Sequence, residues 1–243
     1  MSAAGPQFPP LLNGHRAKGS LASLDEAIAG ARAGTLRAGD LLWSLDGNEL
    51  QMGIVLEPEV ARARCHEMLF VLMVAFGDAF GVLSPPEVSI THDWPDGILA
   101  NDARVGGAAI AISAQETEGV PGWMVVALNI RMAPNMGDPE PGLDRRWTTL
   151  WDEGCGEIEA LELLEATARH FLAWVHTWQE AGFEPVHNAW VRRMAERDTA
   201  SHCYEGRKVT GQPLGLDEHG GLLLRCEDEM RALQIPVYLG IAP

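Results

Sequence analysis

Basic residues are scarce in this chain. Lysine and arginine number 18 against 34 aspartates and glutamates, a net charge of −16. Such a surface repels phosphate backbones, so no nucleic-acid partner is expected. Cysteine is sparse too: Cys65, Cys155, Cys203 and Cys226 are scattered with no C-x-x-C pair, so neither a zinc site nor a disulfide framework is indicated. No apolar run reaches the length of a membrane span. The strongest, Met68 to Phe80, is short and is interrupted by Gly77-Asp78. A basic segment followed by an apolar core is missing from the N-terminus, so no signal peptide is expected. No internal repeat is visible. These absences predict a cytoplasmic protein with no membrane partner, and nothing in the pattern speaks to an oligomeric state.

What is present is ordinary globular composition: 47% hydrophobic and 21% charged over 243 residues. That length accommodates one catalytic-size domain and a small appendage. The central stretch is His92-Asp93-Trp94-Pro95-Asp96-Gly97-Ile98, followed by Arg104-Val105-Gly106-Gly107. Proline lacks an N–H and pushes the preceding residue into an extended conformation, so Trp94-Pro95 cannot sit mid-helix. Asn101-Asp102 predicts a tight turn, and Ala103 to Ser113 a return strand of small residues. At Gly106 and Gly107 a backbone or a ligand can approach closely. Acidic and basic groups beside a glycine step suit a small-molecule site.

Around this centre, Met1 to Leu21 is Pro/Gly-rich and reads as loosely draped. A short helix is expected from Ser23 to Ala33, with Ser23 and Glu26 as a capping box and Gly34 as the stop. Asp40 to Leu45 and Glu49 to Leu56 read as strands about Asp46-Gly47-Asn48. Pro58 is placed at the start of a long apolar helix ending at Gly81. Glu87 to Ile90 and Trp123 to Ile130 read as strands, and Glu157 to Glu180 as the clearest helix, with an apolar stripe from Leu164 to Trp178. From Asp198 short strands predict a small antiparallel barrel.

The central stretch resembles the biotin–protein ligase family, which carries a Lys-Trp-Pro-Asn-Asp-(Ile/Leu) motif. There a Lys-(Val/Leu)-(Gly/Ala)-Gly strand begins on the tenth residue after the tryptophan. Trp94, Pro95, Ile98, Val105, Gly106 and Gly107 match. The family's chemically important positions differ: its lysines fall on Asp93 and Arg104, its Asn on Asp96 and its Asp on Gly97. Asn129 falls where the family has Gly-Ile-Asn-Val, Arg145 to Leu150 is similar to its Ala-Thr-Ser-Leu segment, and Gly182-Phe183-Glu184-Pro185 with Trp190 to its last turn and helix. The resemblance implies an α+β fold: a ligase-like domain over 1–197, a mixed sheet packed by helices, and an SH3-like β-barrel over 198–243. It implies an ancestral activity too, ATP-dependent activation of biotin or a related acyl acid and transfer to a carrier-protein lysine.

That activity brings two anions together and needs cations and N–H dipoles at the phosphate, usually with Mg²⁺. The family's Gly/Arg-rich loop follows its first strand of the hairpin. No such loop exists between Leu45 and Glu49; a different alignment would leave only Arg37 of it. The expected site is therefore Arg104 as the catalytic or ligand-contacting cation, with Trp94, Pro95, Asp96, Gly106, Gly107 and Asn129 as ligand-binding residues and no protein metal site. Its ligand is a small acyl acid or nucleotide (biotin or lipoate, with ATP and Mg²⁺, where the ancestral activity persists) and a carrier protein its partner. The alternative is a non-catalytic ligand-binding or protein-interaction module on the same scaffold. His92 reads as structural, and Asp93 and Asp96 either cap the turn or face each other across a metal.

Overall fold

The computed structural model describes residues 5–18, 23–138, 146–227 and 229–240. Its centre is a seven-stranded sheet built from β1 (Asn13–Arg16), β2 (Asp40–Ser44), β3 (Glu49–Leu56), β4 (Ile90–Asp93), β5 (Gly97–Ala100), β6 (Ala103–Ile112) and, beyond the two-residue ribbon β7 (Glu116–Thr117) and β8 (Val120–Pro121), β9 (Met124–Arg131). The order is β1-β2-β3-β9-β6-β5-β4. Within this sheet only β1 runs parallel to its neighbour, because α1 (Ser23–Ala33) carries the chain back between β1 and β2. The sheet is mixed, as expected.

Alternation sorts the two faces. Leu50, Met52 and Ile54 of β3 and Met124, Val126, Leu128 and Ile130 of β9 enter the main core. On that face lies α3 (Glu67–Leu83), preceded by the single turn α2 (Arg62–Cys65), and behind it α4 (Ala160–Ala181) and α5 (Glu184–Val191). The segment Arg62–Leu83 is apolar enough by composition to cross a membrane, but 78% of that window is buried inside this fold. From Glu67 to Phe80 every residue but Asp78 is buried, so this stretch is apolar on nearly every face. On the opposite face Ala27 and Ala31 of α1 pack on Leu42, Val55 and Val125. Gly53 allows that approach, since a Cβ there would sit 3.0 Å from the Ser23 carbonyl oxygen and 3.3 Å from the Ala27 methyl.

The C-terminal strands β10 (Ala200–Tyr204), β11 (Arg207–Leu216), β12 (Leu222–Arg225) and β13 (Met230–Leu233) form the antiparallel sheet of the SH3-like unit, and α6 (Ile235–Tyr238) follows. Leu216, Leu222, Leu224, Leu233 and Ile235 are buried in the same core as α3. The turn after β11 is locked: Asp217 accepts from the N–H groups of His219 and Gly221, while the His219 and Gly220 carbonyls meet His66 and Trp94.

Several local expectations shift. Residues 13–16 are not loose but a parallel edge strand on β2. Ser23 forms no capping box: its buried hydroxyl has no partner among the described residues, and Glu26 reaches back to the Lys18 N–H at 3.0 Å. The turn at Gly34 does stop the helix, with φ +69°. Pro58 precedes the helices rather than opening one, and α3 runs through Gly81 to Leu83, since a lone glycine weakens a buried helix without ending it. The strand entering the Trp-Pro step begins at Ile90, not Glu87.

Candidate functional site

Beyond the N-terminal end of α1 no helix among the described residues covers the sheet face, and there it becomes polar. The residues of β3 and β9 that continue the α1 face are Gln51 and Glu49, and Ala127, Asn129 and Arg131. Together with Gly107 and Ala109 of β6 they floor a cleft of about 340 Å³. Ser23 and Leu24 close one side, Arg104 and Trp147 the other. Period-2 alternation keeps the apolar set in the core and leaves the polar set on the face where no helix among the described residues covers it.

Arg104 is fixed from three directions. Its Nε donates to the Gly106 carbonyl at 3.0 Å, its Nη2 meets Asp96 Oδ1 at 3.3 Å, and its guanidinium lies over the Trp147 ring at 5.5 Å. The strand itself pins Trp147. The Arg104 N–H donates to the Arg146 carbonyl and the Thr148 N–H to the Arg104 carbonyl, at 2.9 and 3.0 Å. Arg104 and Trp147 thus form a wall, on whose far side lies a second cleft, about 370 Å³, toward Arg197, Ser201 and His202.

The expected ligand residues divide into two groups. Arg104, Gly106, Gly107 and Asn129 come together in the cleft. Trp94 and Pro95 are buried elsewhere. Trp94 packs on His202 and Tyr238, and its Nε1 donates to the Gly220 carbonyl at 2.9 Å, so this pair, joined by a cis peptide bond, belongs to the seam with the barrel. Asp96 reaches the site only through Arg104, and Asp93 is paired with Arg197 at 3.1 Å. Both carboxylates hold arginines. No group of three or more His, Cys, Asp or Glu side chains suited to a metal occurs among the described residues.

The glycines serve the fold first. A Cβ on Gly106 would overlap the Asn129 carbonyl oxygen, and one on Gly107 would lie 2.7 Å from both Arg104 Nη2 and the Asp96 carbonyl oxygen. At each of them a backbone carbonyl approaches closely. His92 is structural as expected: fully buried, with its ring against Trp190. Burial, with Arg193 adding to it, holds its pKa down at about 3.

Glu49, Gln51, Arg131 and Trp147 do not stand out as site residues in the sequence. A signal exists all the same: Glu49-Leu50-Gln51-Met52 alternates polar with apolar, which marks one face of β3 as uncovered. The hairpin itself is as short as expected. Leu45 to Asn48 alone join β2 to β3, through a turn with Gly47 and Asn48 at φ +68° and +58°.

A seven-stranded mixed sheet, a buried helix α3 backed by α4, and a C-terminal antiparallel sheet define a biotin-ligase-like fold. The model of the biotin/lipoate A/B protein ligase family matches residues 8–192, and the chain belongs to that family. It is 27% identical over 188 residues to a biotin–[acetyl-CoA-carboxylase] ligase of Paracoccus denitrificans, covering 75% of this chain and 76% of that one. A crystal structure of a biotin protein ligase-like protein of unknown function from Silicibacter sp. TM1040 superposes with a TM-score of 0.83 at 33% identity, over 98% of this chain and 99% of that one. The biotin protein ligase of Aquifex aeolicus in complex with biotin and ATP shares the fold at TM-score 0.73 and 16% identity, over 93% and 97% of the two chains.

Proposed function

We propose that this protein is a member of the family that binds a small acyl acid in the cleft and has lost the means to adenylate it. One observation carries the reading: an open, polar cleft faced by Arg104 sits beside a hairpin that spends only Leu45 to Asn48 between its strands. A phosphate cradle needs several converging N–H groups or cations. Here Arg104 already serves Gly106 and Asp96, Arg131 is bound to Asp138 at 2.5 Å, and Glu49 adds a negative charge to the cleft floor. The alternative Arg37 is exposed on the loop leading into β2, where its backbone N–H holds Asp40. These residues do not fit ATP with Mg²⁺.

An acid needs less. The Nη1 hydrogens of Arg104 have no acceptor among the described residues and can donate to a carboxylate as a charged hydrogen bond. The small side chains of Ala109 and Ala127 leave room for an acyl chain over the floor.

A ligand that binds only the native state raises the melting temperature by mass action. The test is a thermal-shift screen with biotin, lipoate, octanoate, ATP with Mg²⁺, and a non-hydrolysable biotinyl-adenylate. The reading expects a shift with at least one free acid and none with ATP. A shift with ATP, or with the adenylate far above any acid, would return the protein to the working ligases, with a carrier lysine as acceptor.

A further inference from the structure

Among the described residues lining the cleft, Glu49 is the only acid. Its Oε2 accepts from Gln51 Nε2 at 2.9 Å and Asn129 Nδ2 at 3.1 Å. Two neutral amides aim this carboxylate without cancelling its charge. Arg131 is its partner in the β3–β9 register, yet Arg131 turns to Asp138. No lysine, arginine or histidine among the described residues pairs with Glu49, and its Oε1 makes no hydrogen bond there. Gln51 Oε1 accepts the Ser23 N–H at 3.1 Å, so the amide that aims Glu49 is itself anchored to α1.

Arg104 stands on the other side of β9. Glu49 is on β3 and Arg104 on β6, two strand spacings apart, or roughly 10 Å between backbones. One cleft therefore offers a cation at one wall and, on its floor, an anion that no cation among the described residues pairs with. A plain fatty acid would use the first and be repelled by the second.

We propose that the ligand of this cleft is an acid that also carries an amine several carbons away: its carboxylate rests on Arg104 and its ammonium on Glu49. This rests on the acyl-acid reading above and narrows it to ω-amino acids and related aminoacyl compounds. A charged hydrogen bond is worth enough for roughly a tenfold gain in affinity.

Calorimetric titration of the full chain with hexanoate, hexylamine and 6-aminohexanoate separates the two charges at matched chain length. The proposal expects 6-aminohexanoate to bind about tenfold more tightly than hexanoate, and hexylamine more weakly than 6-aminohexanoate. Glu49→Gln keeps an oxygen for the two amides. It is expected to leave the ligand-free melting temperature unchanged, to weaken 6-aminohexanoate about tenfold, and to leave hexanoate as tight or tighter. Hexanoate binding at least as well as 6-aminohexanoate to the unaltered protein overturns the proposal while leaving the acyl-acid reading in place. The proposal is equally overturned if Glu49→Gln weakens both acids alike. Silence from all three probes, and from the longer acids of the thermal-shift screen, defeats both. Should Glu49→Gln fail to fold, the comparison of the three probes on the unaltered protein decides alone.

Discussion

The two sides of the strand trio β4–β5–β6 are built from the same short stretch of sequence and behave differently. At the barrel seam, Trp94 is buried, hydrogen-bonded and packed against two further rings. At the cleft, Arg104 is half-exposed and Asn129 exposed. The positions that match the family motif, Trp94, Pro95, Gly106 and Gly107, are those whose contacts hold backbones together. Of the positions that depart from it, Arg104 alone lines the cleft, while Asp96 and Asp93 hold arginines and Gly97 is buried. The cation that faces the cleft sits at an altered position, while the shared Trp94 and Gly106 serve the scaffold.

The largest effect that separates the two sides comes from removing the barrel. Deleting residues 198–243 strips Leu216, Leu222, Leu224, Leu233 and Ile235 from the common core. At about 2 kcal/mol each, that is comparable to the whole stability of a typical domain. The 1–197 fragment, a separate domain on the family resemblance, is expected to be insoluble or to lack a cooperative melt. A soluble fragment with a sharp transition would show the seam to be dispensable. Next comes Gly106→Ala, which forces β6 from β9 and is expected to cost on the order of 3 kcal/mol in urea denaturation. Trp94→Phe leaves the buried Gly220 carbonyl without its donor, at about 1–3 kcal/mol, and leaves ligand binding intact.

A pH series tests the core beneath the motif. His92 ionises near its ordinary pKa of about 6.5 when unfolded and at about 3 when folded, so the unfolded chain takes up more protons between those values. Its contribution is fully present above pH 6.5 and is lost as pH falls toward 3, at up to about 1.4 kcal/mol per unit. His92→Phe is expected to flatten the fall in stability between pH 7 and 5; an unchanged slope would mean other groups govern it. The smallest stability effect belongs to the cleft. Arg104→Ala is expected to move the ligand-free melt little and to abolish the shift given by an acid. Unchanged binding would remove Arg104 from the site.

Much of this is legible in the sequence. The α4 stripe, the turns at Asn101-Asp102 and Gly47-Asn48, and the C-terminal strands follow from local periodicity and turn chemistry. The family follows from the spacing of Trp94 to Arg104 and the order of elements. What escapes the sequence is non-local. Only the sheet order shows that Trp94 belongs to the barrel seam, because its partner Gly220 lies 126 residues away. Only strand pairing brings Glu49 beside Asn129, and only the ledge formed by residues 146–148 along β6 puts Trp147 on Arg104. The edge strand β1 is hidden because parallel pairing across α1 leaves no hairpin signature.

The central claim, acid binding without activation, is tested most directly by ATP–pyrophosphate exchange. It is run on protein whose melting temperature rises with biotin, lipoate or octanoate, with that acid at saturation and Mg²⁺ present. The account predicts exchange no faster than in the acid-free control. Exchange that appears only with the acid would show an acyl-adenylate forming, and would contradict it.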